Sequence, residues 1–122
     1  MAKTFADLEI WQRAIKLAED IYDLTRSFPK TEQFALIDQI KRAVTSISAN
    51  IAEAFGRFHY NDKRKFLFNA RGSLQETKSH LLLSAKLFKL KPTAVNPILS
   101  QIDILGIKLN NFINAIGKSQ SK

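Results

Sequence analysis

The side chains with the most evident chemical potential are the cations, and they are unevenly placed. Between Arg57 and Lys91 stand nine basic residues, Arg57, Lys63, Arg64, Lys65, Arg71, Lys78, Lys86, Lys89 and Lys91, against two acidic ones, Asp62 and Glu76. This third of the 122-residue chain therefore carries +7 of a formal net charge of +8, and the remainder is nearly neutral. Arg64, Arg71 and Lys78 recur at intervals of seven and are continued by Lys86 and Lys89. At about 100° per residue, that spacing lines the cations along one side of a helix. Such a row matches the spaced phosphates of a nucleic acid backbone better than one small anion. A solvated face that only keeps the protein soluble would use the same residues. The shortage of carboxylates on the segment favours a polyanion. Phe58, His59 and Tyr60 adjoin the cluster, where they either stack on bases or close the end of a bundle.

Other chemistries find little support. Cysteine is absent, which removes disulfides, thiolate metal sites and thiol nucleophiles and fits a reducing compartment. The two histidines are His59, beside a turn, and His80, four residues after Glu76. Di-metal carboxylate bundles need Glu-x-x-His on two helices, and this chain has none. No glycine-rich phosphate loop occurs, and Ser73 lies in a helical pattern with no base in register. The expectation is therefore a non-enzymatic protein with no catalytic residues, no cofactor and no metal. The longest uncharged stretches, such as Pro92 to Ile102, fall well short of the ~20 residues that span a bilayer. The start MAKTFADLEIW has no apolar signal core, so the protein is expected to be soluble and cytoplasmic, with no membrane partner.

Four amphipathic helices account for the whole chain, at about 7–28, 31–55, 62–90 and 96–116, with a polar tail at 118–122. In helix one, apolar residues form two rows: Leu8, Trp11, Ile15, Ala18, Tyr22 and Thr25, and Ile10, Ala14, Leu17, Ile21 and Leu24. Asp7 is the expected N-cap and Pro29 the stop. Thr31 is expected to cap helix two, whose core row is Ile37, Ile40, Val44, Ile47, Ile51 and Ala54. Asn61 or Asp62 caps helix three, which points Phe66, Ala70, Ser73, Leu74, Thr77, Leu81, Ala85 and Phe88 inward before Lys91 and Pro92 break it. Helix four takes Pro97 as its first residue, buries Leu99, Ile102, Leu105, Leu109, Phe112 and Ile116, and ends at Gly117. No segment alternates with period two. The fold class is thus all-α, one up-down-up-down antiparallel four-helix bundle over residues 1–122.

Two surfaces exceed what a monomer needs. Helix three carries Gly72, Leu83, Leu87 and Leu90 away from its core row, and together with the second apolar row of helix one they point to an oligomer. Helix two carries a polar row, Arg42, Ser46, Asn50 and Glu53. The small residues around it, Ala43, Ser48 and Ala49 among them, let another helix come close and favour a packed, hydrogen-bonded contact over a loose surface.

The blocks FADLEIWQRAIKLAEDIYDLT, FPKTEQFALIDQIKRAVTSISANIAEA and FLFNARGSLQET, taken in order, resemble the signatures of the 23S rRNA intervening-sequence proteins, and the resemblance runs from Phe5 to about Ile116. It implies a small bacterial protein built as a ring-like homopentamer of four-helix protomers. The accessory variability determinant of diversity-generating retroelements is similar in architecture, and its basic surface binds nucleic acid and a reverse transcriptase; without a retroelement context the second partner is not carried over. The resemblance assigns Gln39, Arg42, Ser46, Asn50 and Glu53, with Gly72, Ser73 and Glu76, to helix packing and subunit contacts. Ala54 stands where that family commonly has Gly, and Lys41 where Arg is frequent. The expected function is a homo-oligomeric bundle binding RNA or DNA without sequence preference through Arg57, Lys63, Arg64, Lys65, Arg71, Lys78, Lys86 and Lys89. The alternative is a scaffold that docks an acidic protein partner, with nucleic acid irrelevant.

Overall fold

The structure is a computed structural model that describes residues 1–121 and, except at Gln33 and 119–121, their side chains. Its four helices are α1 (Glu9–Thr25), α2 (Asp38–Gly56), α3 (Tyr60–Phe88) and α4 (Pro92–Ser121), and no strand occurs among the described residues. Each helix packs on its chain neighbours, and α1 also packs on α4, closing a four-sided bundle. Polar ties show the antiparallel sense. Asp20 accepts a bond from Gln101 at 2.7 Å and Glu9 meets Lys108 at 3.1 Å, so α4 descends as α1 rises.

The ends of the helices depart from simple punctuation. Asp7 does not cap helix one. It is the last residue of a 3-10 turn, Phe5–Asp7, that Thr4 caps: Thr4 Oγ1 accepts from the Ala6 N–H, while the Asp7 carboxylate accepts from the N–H groups of Lys3 and Thr4. Extended Leu8 then separates this turn from α1. Helix one ends at Thr25, and Phe28 folds back to bury itself against Phe88, ring centroids 5.0 Å apart. Thr31 lies within a 3-10 turn, Lys30–Glu32, followed by wide π turns over Gln33–Ile37, so regular α2 starts only at Asp38. In α3 the cap position belongs to His59, with no side-chain bond, and Asn61 and Asp62 lie inside the first turn. An acidic residue there still meets the positive end of the helix dipole.

Between α3 and α4 the chain reverses through Lys89, whose φ of 52° and ψ of 49° are left-handed, and the Leu90 N–H donates back to the Ala85 carbonyl. Pro92 follows as the first residue of α4, a position whose N–H would have no helical partner anyway. The Lys91 carbonyl accepts from Ala94 and Val95. Pro97 therefore sits inside α4 and removes only the bond to exposed Thr93. Gly117 does not end α4, which continues through Ser121; of the expected tail, Lys122 lies outside the described residues.

The core lies between the helices. It joins Ile10, Ala14, Leu17 and Ile21 of α1 to Ile40, Val44, Ile47 and Ile51 of α2, Leu67, Ala70, Leu74 and Leu81 of α3, and Ile98, Ile102, Leu105 and Leu109 of α4. The two rows of α1 are thereby resolved in reverse of the expected order: the Ile10 row is core, and Ile15, Ala18 and Tyr22 face outward in part. In α3, Leu67 is fully buried and Phe66 packs half-buried against the core. Buried Thr77 satisfies its hydroxyl by donating to the Ser73 carbonyl at 2.8 Å.

Lys89 holds a backbone conformation that costs a residue with a Cβ about 1–2 kcal/mol. Lys89→Gly is expected to stabilise the protein by about 1 kcal/mol in urea unfolding, since glycine adopts that conformation freely. A second outcome concerns acid. Burial pushes the Asp20 carboxyl up, but the hydrogen bonds from Gln101 and Lys16 outweigh it and hold the group below its ordinary value. A depressed carboxylate stabilises the fold above its unfolded pKa and loses that contribution as pH falls through the folded one. The stability gap between wild type and Asp20→Asn should therefore narrow below about pH 4 in thermal melts.

Candidate nucleic-acid interface

Phe68 organises the amino-terminal half of α3. It stands four residues after Arg64 and three before Arg71, so all three side chains share one helical face. The guanidinium carbons lie 5.2 and 4.7 Å from the ring centroid, and Phe68 remains 37% exposed. Arg71 also donates to Asn110 Oδ1 at 2.9 Å, tying it to α4. Beside this stack an open groove of about 440 Å³ runs between the start of α3 and the end of α4, lined by Tyr60, Arg64, Phe68, Ile113, Asn114, Gly117 and Lys118. None of these residues is acidic. Gly117 matters here because a Cβ at that position would stand 3.0 Å from the Tyr60 hydroxyl.

The remaining cations divide by what they touch. Lys63 Nζ donates to the carbonyls of Ala54 and Phe55 at 3.3 and 3.4 Å, covering the negative end of the α2 dipole. Arg57 pairs with Glu53 one turn before it and lies 4.7 Å over Phe66, with Lys65 at 5.8 Å from the same ring. Lys78 is held by Asp103 of α4 at 3.2 Å. Lys86 and Lys89 are exposed and form no ion pair among the described residues. Lys86 stands 22 residues beyond Arg64, about 33 Å along the helix. The row expected from the spacing of seven is thus interrupted at Lys78, and Lys89 has left the helix altogether. What the structure brings together is Arg64 with Phe68, Tyr60 and Lys118 along one groove, and Arg71 joins them only through the Phe68 ring. Phe68 was not among the expected site residues, although its spacing of four and three from the two arginines places it on their face. Lys118 was hidden by the expectation that Gly117 ends the helix.

Five of the residues singled out for packing meet across α2 and α3. Ser46, Asn50, Gly72, Ser73 and Glu76 line a groove of about 490 Å³ with Phe68 and Asn69. Ser73 Oγ donates to Ser46 Oγ at 2.9 Å, and Asn50 Nδ2 donates to the Ser46 carbonyl and hydroxyl at 2.8 and 3.0 Å. Gln39, Arg42 and Glu53 lie outside it, exposed, Arg42 bonded to Asp38 and Glu53 to Arg57. Leu83 and Leu87 are 45% and 58% exposed, with Leu82 alongside. On the other side of the bundle Ile15, Ala18 and Tyr22 line a groove with Glu19, Asp23 and Arg26. Among the described residues, no three His, Cys, Asp or Glu side chains stand together as metal ligands, and no helix is long and apolar enough to cross a membrane.

A family model described as 23S rRNA-intervening sequence protein matches residues 6–111. The chain belongs to this family. No curated protein matches the sequence. Within this 23S rRNA-intervening sequence protein, the matched region takes in α1 to α3 and most of α4. It therefore includes the Ser46 and Ser73 groove, Arg64, Phe68 and Arg71, and stops short of Lys118.

The bond between Ser46 and Ser73 crosses a half-buried seam, where a net contribution of about 1 kcal/mol is ordinary. Ser73→Ala should destabilise the protein by about that much. Because the two hydroxyls share one bond, Ser46→Ala/Ser73→Ala should cost less than the two single losses added, measured by chemical denaturation.

Proposed function

We propose that this protein is a non-enzymatic, homo-oligomeric bundle that binds RNA or DNA without sequence preference through the amino-terminal half of α3. The observation that carries the reading is the pair of arginines mounted on Phe68, of which Arg64 lines a groove with Tyr60, Lys118 and no carboxylate. Stacking on the ring removes rotamer freedom before binding, so less entropy is lost when each guanidinium meets a phosphate. Phe68 and Tyr60 add π-faces of the kind on which unpaired bases stack, whatever their identity. Membership of a family described by an rRNA insertion fits an RNA-related role.

Self-association is part of this reading. The outer face of α1 combines Ile15 and Tyr22 with Glu19 and Asp23, while the carboxy-terminal half of α3 combines Leu82, Leu83 and Leu87 with Lys86. Both faces are apolar, and the α1 face carries charges of both signs, since Arg26 pairs with Asp23 and Lys41 lies over Tyr22. The two faces differ from each other, so copies joined through them meet head to tail, the arrangement that closes into a ring such as a pentamer. A ring would repeat a weak basic site and convert modest contacts into avid binding in the cytoplasm.

Fluorescence anisotropy with a structured RNA and a duplex DNA tests the site. With about three phosphate contacts per protomer, raising salt from about 50 to 200 mM should weaken binding by about 40-fold. Arg64→Glu/Arg71→Glu should lose at least about tenfold at low salt, whereas Lys78→Glu, whose parent already faces Asp103, should lose less. No binding to either nucleic acid at the low-salt end, or binding indifferent to the arginine pair, would remove this function and leave an acidic protein partner as the reading to pursue. Light scattering should return a multiple of the 13.9 kDa protomer, and a monomer would contradict the ring.

A further inference from the structure

Where α1 begins, α2 ends and α3 begins, the bundle is not filled. A partly enclosed cavity of about 190 Å³ remains, lined by Ile51, Ala54, Phe55, Leu67, Phe112 and Ile116, with Leu8 and a single charged neighbour, Lys63. The nucleic-acid reading makes no use of this space, since its arginines lie on another face of α3.

Lys63 is the unusual member. An ammonium has three donors, and here two go to the carbonyls of Ala54 and Phe55 in bonds of 3.3 and 3.4 Å, long for charged donors. No carboxylate pairs with it among the described residues. A cation held half-buried at the rim of an apolar hollow, short of a counter-ion, selects what enters. An anionic end is attracted, a cationic end is repelled, and a neutral polar end gains little over water. Size sets the second limit. An apolar cavity of about 150 Å³ accepts benzene, so 190 Å³ admits one ring and a carbon or two beyond it, but not two fused rings with a head group.

We propose that this cavity is a binding site for a small carboxylate with a single aromatic ring or an alkyl chain of similar bulk. The apolar body lies among Ile51, Phe55, Leu67 and Phe112, and the carboxylate meets Lys63 Nζ at the mouth. A single ammonium suits a monoanion; a phosphate would need more donors than the apolar wall supplies.

The full-length protein can be titrated with phenylacetate and with its neutral counterpart 2-phenylethanol, followed by calorimetry and by amide chemical shifts. Trp11, the one tryptophan in the chain, stands one turn from Leu8 and gives a fluorescence readout. Phenylacetate should bind about tenfold more tightly than the alcohol, as expected for a charge-assisted bond at a half-buried site. The shifts should centre on Ile51, Leu67 and Phe112. Lys63→Met should bring the two ligands within about twofold of each other while circular dichroism stays helical. Ala54→Leu, which places a larger side chain against the cavity, should abolish binding of both. The proposal is overturned if phenylacetate does not bind the wild type at millimolar concentration, if acid and alcohol bind alike, or if Lys63→Met keeps the preference for the acid.

Discussion

Ser46 and Ser73 share a 2.9 Å hydrogen bond where α2 and α3, the most extensively packed pair of helices, meet, and that approach governs much of the molecule. Ala43, Ser46, Ala70, Ser73 and Thr77 are all short, so α2 and α3 meet with little side chain between them. Larger residues at these positions would push the helices apart and open the core behind Ile47 and Leu74. Only residues 57–59 separate α2 from α3, so the linker permits no sliding. The register of α3 is thereby fixed from one side, and with it the position of every cation on that helix. Lys63 reaches the last carbonyls of α2, Arg71 reaches Asn110, and Lys78 reaches Asp103 because α3 is held at this height.

The same placement decides which charges are available to a partner. Arg13, Lys16, Arg26, Arg42 and Arg57 each pair with a carboxylate three or four residues away on their own helix or just beyond its end. Such exposed pairs contribute little to stability, but they cancel field. Arg64, Lys65 and Arg71 have no carboxylate in reach among the described residues and instead rest on Phe66 and Phe68. A cation on an aromatic face keeps its full charge while giving up some mobility. The excess of positive charge over this part of the chain thus survives folding at the start of α3 and at Lys86 and Lys89, and is offset at Arg57 and Lys78.

Periodicity made the helices and most of the interior legible: Ile40, Val44, Ile47 and Ile51 are core, as a step of three and four requires. Helix one was ambiguous because both of its rows are apolar, and only the neighbours decide which row is covered. The caps were less legible. Asp7, Thr31 and Asn61 are all plausible N-caps by residue type, yet Thr4 supplies a capping box one turn earlier, π turns absorb the start of helix two, and His59 holds the cap position of α3 without a side-chain bond. Only the π turns lie beside the end that Phe28 folds over, whereas Thr4 and Asp7 stand at the opposite end in a spacing that is itself a capping-box pattern. Gly117 carried a stop signal that tertiary context overrode, because its missing Cβ serves the approach of Tyr60 rather than a left-handed turn. Of the candidate site, the heptad of cations was visible, whereas their division into ring-mounted and ion-paired groups required α4 and its Asp103 and Asn110.

The two ends of the bundle differ for a physical reason. At one, Phe28 is driven inward by the turn after α1 and stacks on Phe88, sealing the core with two aromatic rings. At the other, the chain passes from α2 to α3 through three residues that leave Phe58 90% exposed, so no ring is returned to plug the opening. Phe55, Phe112 and Ile116 border that opening without filling it. The unsealed end is also where the carboxy terminus of α2 draws in Lys63 and where Arg64 and Lys118 line one groove. The packed core reaches this end through Ile51 and Leu67, which are also walls of the cavity. Cations and unfilled apolar space are tolerated there, and that tolerance makes it the place where the fold can carry a ligand.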